Sequence, residues 1–168
     1  RSMAELTSNI NYLQPSGFSV SISRENYPNL EYFAQQISHP SIDVAETMQT
    51  ARKIQIPTAG DTVTFGTLDV TFLLDEDMTS YTEMFDWMVR LVNENQTDQT
   101  AAIATGTPST EADIYVSILS SHNNVIKTIK YYNCVPTSVS NLELNAQSGA
   151  EIPLTFNVSF RCLQFELV

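Results

Sequence analysis

Basic side chains are scarce in this sequence: 8 lysines and arginines stand against 19 acids in 168 residues, a net charge of −11. Duplex DNA carries one negative charge per ~1.7 Å of axis, so a chain of this sign repels it and a DNA-reading role does not fit. Glycine is also sparse, with 5 in all. No G-x-G-x-x-G, Walker loop or G-x-S-x-G occurs, which removes the usual phosphate cradles and the nucleophile elbow. The two histidines, His39 and His122, have no Cys, His or carboxylate at ligand spacing and read as exposed spacers at a strand end and in a turn. A Cys134–His122 nucleophilic pair has no third group to orient it. No apolar run approaches the roughly 18 residues that span a membrane, and the first residues contain no h-region of a signal peptide. Arg1 and Ser2, ahead of Met3, are set aside as additions to the natural start. Neither an enzyme nor a cofactor is expected.

The two cysteines, Cys134 and Cys162, lie in apolar settings (YYNCV and FRCLQF). Without an export signal they are expected to be buried, reduced thiols. The sequons at Asn95 and Asn157 carry no meaning without secretion.

What is present is alternation. Phe18, Val20 and Ile22 alternate with serines, and Leu68, Val70, Phe72 and Leu74 share one face of a second run. Gly66 reads as a bulge ahead of it. Ile114, Val116 and Ile118 form a third run, turned at residues 122–124 into VIKTIKYYNCV, then VSNLELN. Leu154, Phe156, Val158, Phe160 and Cys162 make the longest. LEYFAQQIS is read as a strand stopped by His39-Pro40. Between residues 80 and 93 the period becomes helical, with Tyr81, Met84, Phe85, Met88, Leu91 and Val92 as the stripe and Trp87 at its polar border. Ser80 and Glu83 have capping-box spacing. About seven strands and one helix result, with polar stretches at 1–16 (an N-terminal arm), around the turn at Asn26 and Pro28, at 93–110 and at Ser148-Gly149. Residues 40–62 are an extended excursion, either a long loop or a hairpin. A segment of that length in a compact domain is usually functional or disordered, and this one is not of low complexity.

Two charged features invite a functional reading. Asp75, Glu76 and Asp77 follow a strand and precede the helix. They lack the glycine and spacing of a calcium loop, and a helix N-terminus favours such charge by ~0.3–1 kcal/mol each. Arg52-Lys53 is the sequence's one adjacent basic pair, and it lies within the excursion. It is either a solvated loop charge or a contact to an acidic surface of a neighbouring copy. Tyr131-Tyr132 and Trp87 could stack a base or a sugar, as in a ligand-binding jelly roll, but packing at the strand and helix is the stronger account of them.

The order of these features resembles the tail tube proteins of contractile-tailed bacteriophages. The residues that carry the resemblance are Gly17-Phe18-Ser19-Val20-Ser21-Ile22, then Arg52-Lys53-Ile54 with Gly60-Asp61. The run from Asp69 to Met88 follows, with its Phe85-Asp86-Trp87 element. Cys134-Val135-Pro136-Thr137-Ser138-Val139, Leu142-Glu143-Leu144 and LTFNVSF close the series. The family usually has an aromatic where Val135 stands. The resemblance spans nearly the whole chain, 1–168, as a single tube-like domain. It implies a mainly β fold, an antiparallel β-sandwich or barrel flanked by one helix, with residues 40–62 as an arm on neighbouring subunits. It further implies six copies to a ring and rings stacked into a tube with an acidic lumen that conducts DNA without binding it. Sheath, baseplate and tape-measure proteins would be the partners, in a virion tail assembled in the host cytoplasm. Arg52, Lys53 and Ile54 would then meet Asp75, Glu76 and Asp77 of another copy. The alternative is a baseplate tube initiator, or the tube of a related injection machine such as type VI secretion.

Overall fold

A computed structural model describes residues 13, 15–22, 27, 30, 34–51, 54–94, 110–145 and 153–168. Within them the chain forms β1 (Phe18–Ser21), β2 (Ala34–Ser38), β3 (Ile42–Ala51), β4 (Ile54–Phe65), β5 (Leu68–Leu73), α1 (Thr79–Glu94), β6 (Ala112–Leu119), β7 (Val125–Val139), β8 (Thr155–Arg161) and β9 (Gln164–Leu167). The expected turns at Asn26-Pro28 and Ser148-Gly149, the loop at 95–109 and most of the N-terminal arm lie outside the described residues.

All pairings are antiparallel. One sheet runs β1-β6-β7-β8-β5-β2, with β9 also on β7, and β3 and β4 form a separate two-stranded ribbon. The sheet bends on itself as a sandwich and does not close into a barrel. The bend is made by β7, which pairs with β6 and β9 along its first half and with β8 along its second. Asn133, at φ 49°, marks the change of partner, and asparagine is one of the few residues that tolerate this left-handed backbone. Pro136 sits beside a bulge, where a missing N–H costs the ladder least. The two strands expected over 125–145 are thus one strand ending at Val139. Leu142 still packs on the core, while Leu144 is exposed.

The core follows the alternation. Leu68, Val70 and Phe72 of β5 face Phe160, Val158 and Phe156 of β8, and all six are buried. Val20, Ile114, Val116 and Tyr131 fill the other half. Leu30, read as the start of a strand, has helical backbone and is buried; β2 begins only at Ala34.

Two expectations are corrected here. On α1 the buried face is Ser80, Met84 and Trp87, with Leu91 packed against it, so the helix is turned from the predicted stripe. Trp87, expected at the border, is fully buried, whereas Phe85 and Val92 are 56% and 62% exposed. Its indole explains the rotation: the ring stacks on Tyr27 at 4.4 Å, and Nε1 donates to the Thr110 carbonyl at 2.8 Å, so its one polar atom is satisfied inside. The cysteines are not free thiols. Cys134 and Cys162 are joined by a disulfide, with Cα atoms 4.1 Å apart. The β7–β8 register pairs Val135 with Arg161, which sets the next residues along, the two cysteines, directly across from each other. Apolar flanks report burial; they carry no information about register.

Candidate assembly surface

The acidic run between β5 and α1 divides. Asp75 turns to the helix. Its carboxylate accepts from the amides of Thr79 (3.1 Å) and Ser80 (3.3 Å), from the Ser80 hydroxyl (3.0 Å) and from the Thr79 hydroxyl. These are first-turn groups that have no partner within the helix. The Thr79 hydroxyl, followed by the Ser80 amide and hydroxyl, holds the Asp75 carboxyl down at about 2, against 3.8 unperturbed. Ser80 was expected to cap the helix with Glu83; instead its own amide is capped by Asp75. Met78, at φ 54°, folds the turn. Glu76 and Asp77 are exposed. Among the described residues, no three His, Cys, Asp or Glu side chains gather as a metal site.

The cap has a pH signature. A lowered carboxyl stabilises the fold above the unfolded value of 3.8, and that contribution is lost as pH falls through about 2. Asp75→Ala is expected to melt a few degrees below wild type at pH 7. The gap should close between pH 4 and pH 2, read by circular dichroism melts across that range. A gap that stays constant to pH 2 would mean that Asp75 does not cap as a carboxylate.

The excursion at 40–62 is the hairpin of β3 and β4, with a register that extends to Ile42↔Phe65. Gly66, expected at a bulge, instead closes the stem: its amide donates to the Ser41 carbonyl at 2.9 Å. Phe65 meets Phe165 of β9 edge-on at 5.1 Å, and His39, just ahead of β3, meets the same ring at 4.6 Å. His39 Nδ1 also lies 2.6 Å from the Tyr131 hydroxyl, so the residue is exposed, as expected, but clasps the stem rather than merely spacing it. Burial lowers the His39 pKa and raises that of Tyr131 to about 12. Sequence reading missed this role because the partners are remote in the chain.

Beyond its stem the hairpin is exposed on both sides. Alternation and register set Ile42, Val44, Glu46, Met48, Val63 and Phe65 on one face, opposite Asp43, Thr47, Thr58 and Thr64 on the other. Val44, Met48 and Val63 are 50–56% exposed. Of the predicted contact residues, Ile54 opens β4 at the distal end, 68% exposed. Arg52 and Lys53, between the ends of β3 and β4, lie outside the described residues. No described contact joins Ile54 to Asp75, Glu76 or Asp77 within the chain.

The aromatics are committed elsewhere. Trp87 and Tyr131 are buried. Tyr132 lies under the Lys130 ammonium at 4.4 Å and donates to Glu166 at 2.9 Å, and Lys130 also pairs with Asp113 at 3.2 Å. A groove of about 840 Å³ opens where the sheet fails to close, lined by Phe18, Ile37, His39, Ile118 and Tyr131 among others.

No protein-family model matches this sequence, and no curated protein matches it. Solved structures do. A chain in the cryo-EM structure of the anti-feeding prophage cap, the AFP tube terminating cap, superposes with a TM-score of 0.67 at 13% identity, over 100% of this chain and 99% of that one. A chain of the PVC sheath–tube complex, an extracellular contractile injection system in its extended state, gives 0.63 at 17% identity, over 95% and 93%. A chain of the anti-feeding prophage baseplate gives 0.59 at 13%, over 99% and 97%. The fold is therefore the one found in contractile injection systems, matched from end to end.

Proposed function

We propose that this chain is a structural subunit of a contractile-tail tube that self-assembles into stacked hexameric rings. The observation that carries this reading is the end-to-end match in fold to chains of tube, cap and baseplate assemblies. The hairpin fits it: a folded protein does not ordinarily leave such an apolar surface open unless a partner covers it. Sheath and baseplate are the partners, with a tape-measure protein during assembly. In a phage tail the lumen conducts DNA, and a net charge of −11 suits a wall that a polyanion must pass without sticking. The alternative is a tube initiator, cap or tube of a related injection machine; the named neighbours, from the anti-feeding prophage and an extracellular contractile injection system, favour it over a virion tail. A ligand-binding jelly roll is less well supported, because Trp87 and Tyr131 are buried and present no ring face. The role is structural, without catalysis.

Within this reading, Arg52 and Lys53 at the hairpin's distal end meet Asp77 and Glu76 of another copy, with Ile54 packed beside them. Negative-stain electron microscopy of the concentrated chain, with the mass of the soluble fraction, is the test. Rings or hollow tubes are expected. The double variant Arg52→Glu, Lys53→Glu is expected to stop assembly, and adding Glu76→Lys and Asp77→Lys to it should restore part of the loss. Assembly that ignores both sets of charges would sink the contact. A clean monomer at every concentration would overturn the self-assembling reading despite the match in fold.

A further inference from the structure

The disulfide stands where the sandwich turns. Cys134 follows Asn133, at which β7 changes partner, and Cys162 lies between the end of β8 at Arg161 and the start of β9 at Gln164. The bond therefore fixes where β9 begins. Beside it the Leu163 amide donates to the Tyr132 carbonyl at 3.0 Å, and β9 then pairs with β7 from Gln164↔Tyr132 to Leu167↔Ile129. β9 carries Phe165, the ring that receives both Phe65 and His39 from the hairpin stem. We infer that the Cys134–Cys162 disulfide is a redox lock, opened by small thiols, that holds β9 and through it the stem of the β3–β4 hairpin. This goes beyond the tube-subunit reading and does not rest on it, since the lock acts within one chain.

Access comes from one side. Cys134 is fully buried, whereas Cys162 is half-buried and lines a groove of about 630 Å³. Val63, Thr64 and Phe65, the last residues of β4, line the same groove, so the hairpin stem borders the bond that anchors its own support. A groove of this size admits a small thiol. Its thiolate attacks Cys162 Sγ, the bond to Cys134 breaks, and the Cys134 sulfur leaves with the electron pair and takes up a proton. A second thiol attacks the first thiol's sulfur in the mixed disulfide and releases Cys162, which is protonated in turn. Two external thiols are oxidised to one disulfide, and the protein's disulfide is reduced to two thiols. The effect of opening is local. β9 is four residues long, pairs with β7 alone, and leaves Leu163, Leu167 and Val168 exposed, so little besides the bond and Phe165 retains it. β5 and β8 face each other with six buried side chains and do not depend on it. The coupling is reciprocal: the factor by which the disulfide favours a docked stem is the factor by which a docked stem favours the disulfide.

The test equilibrates the full chain in glutathione buffers from oxidising to reducing. Free thiols are alkylated and counted by intact mass, and amide hydrogen exchange is measured at both extremes. The oxidised chain is expected to take no alkyl group and the reduced chain two. Reduction should speed exchange about tenfold or more in β9 and at the Gly66 amide that closes the stem, with β5 and β8 still protected. Phe65→Ala, which removes the stem's ring from Phe165, should shift the glutathione equilibrium severalfold toward the dithiol. Two alkylated thiols in oxidising buffer would overturn the lock. So would protection lost alike in β5, β8 and β9, the mark of a staple for the whole domain, or protection unchanged in β9 and at Gly66, the mark of an inert bridge. An equilibrium that Phe65→Ala leaves unmoved would overturn the coupling to the stem.

Discussion

Trp87→Ala is expected to remove about 3–5 kcal/mol of stability, the range for deleting a large aromatic from a packed core. Trp87 is fully buried, stacked on Tyr27 within 14° of parallel, and tilted against Phe160 at 5.8 Å. It therefore joins α1 to β8 and to the segment at Tyr27. The hydroxyl of Tyr27 in turn accepts from the Arg90 guanidinium, which sits over the tyrosine ring at 5.8 Å. Truncation opens a cavity under both elements and strips the Thr110 carbonyl of its donor. Trp87→Phe is the milder change: it keeps a six-membered ring in the site but loses the hydrogen bond and part of the indole volume, so its cost should be smaller than that of alanine. Urea denaturation followed by far-ultraviolet circular dichroism measures both variants without needing the indole as a probe. In a domain whose whole stability is about 5–15 kcal/mol, that loss is a large fraction of the total and should lower the melting temperature markedly. A loss below 1 kcal/mol for Trp87→Ala would mean that α1 is not docked as described.

How far the sequence could be read follows from where each residue finds its partner. β5 and β8 were legible because both of their faces are defined within this chain, so strict alternation marks them. The helix was legible as a helix, but its rotation was not. Phe85, Val89 and Val92 are apolar without being core, and a count of apolar residues cannot tell a face packed inside from one left for a partner. The same ambiguity left residues 40–62 as either loop or hairpin: Ile42↔Phe65 and Val44↔Val63 pair across the ribbon, but no core imposes a pattern on them. The disulfide and the His39–Tyr131 contact depend on register and on the bend of β7, neither of which is written in local composition. Asp75 was placed correctly at a helix start. Its separation from Glu76 and Asp77 depends on the left-handed turn at Met78, which nothing in that residue type foretells.

Gly60→Val is expected to dismantle the hairpin while sparing the sandwich. Opposite Gly60 the register slips between Val44 and Glu46, which brings the Ala45 backbone inward. A Cβ on residue 60 would stand 2.0 Å from the Ala45 carbonyl oxygen and 2.9 Å from its carbon. Both are backbone atoms, so no side-chain rotation relieves the clash; the two strands must part or slip. Slippage by one residue would turn Val44 and Met48 to the opposite face. The core has little at stake, because among the described residues the ring contacts from the hairpin to the body are at its stem, where Phe65 and His39 meet Phe165. Hydrogen exchange should show amides of β3 and β4 losing protection while those of β5 and β8 keep theirs, and the melting temperature should shift by no more than a few degrees. Assembly should fail while the β3–β4 amides alone lose protection, a combination that neither a core defect nor a surface charge change produces. Gly60→Ala carries the same clash with less bulk and should fall on the same side. Protected β3–β4 amides in either variant would mean that the bulge yields and the glycine is incidental. Lost protection with intact tubes would mean that the hairpin is not the element that joins one copy to the next.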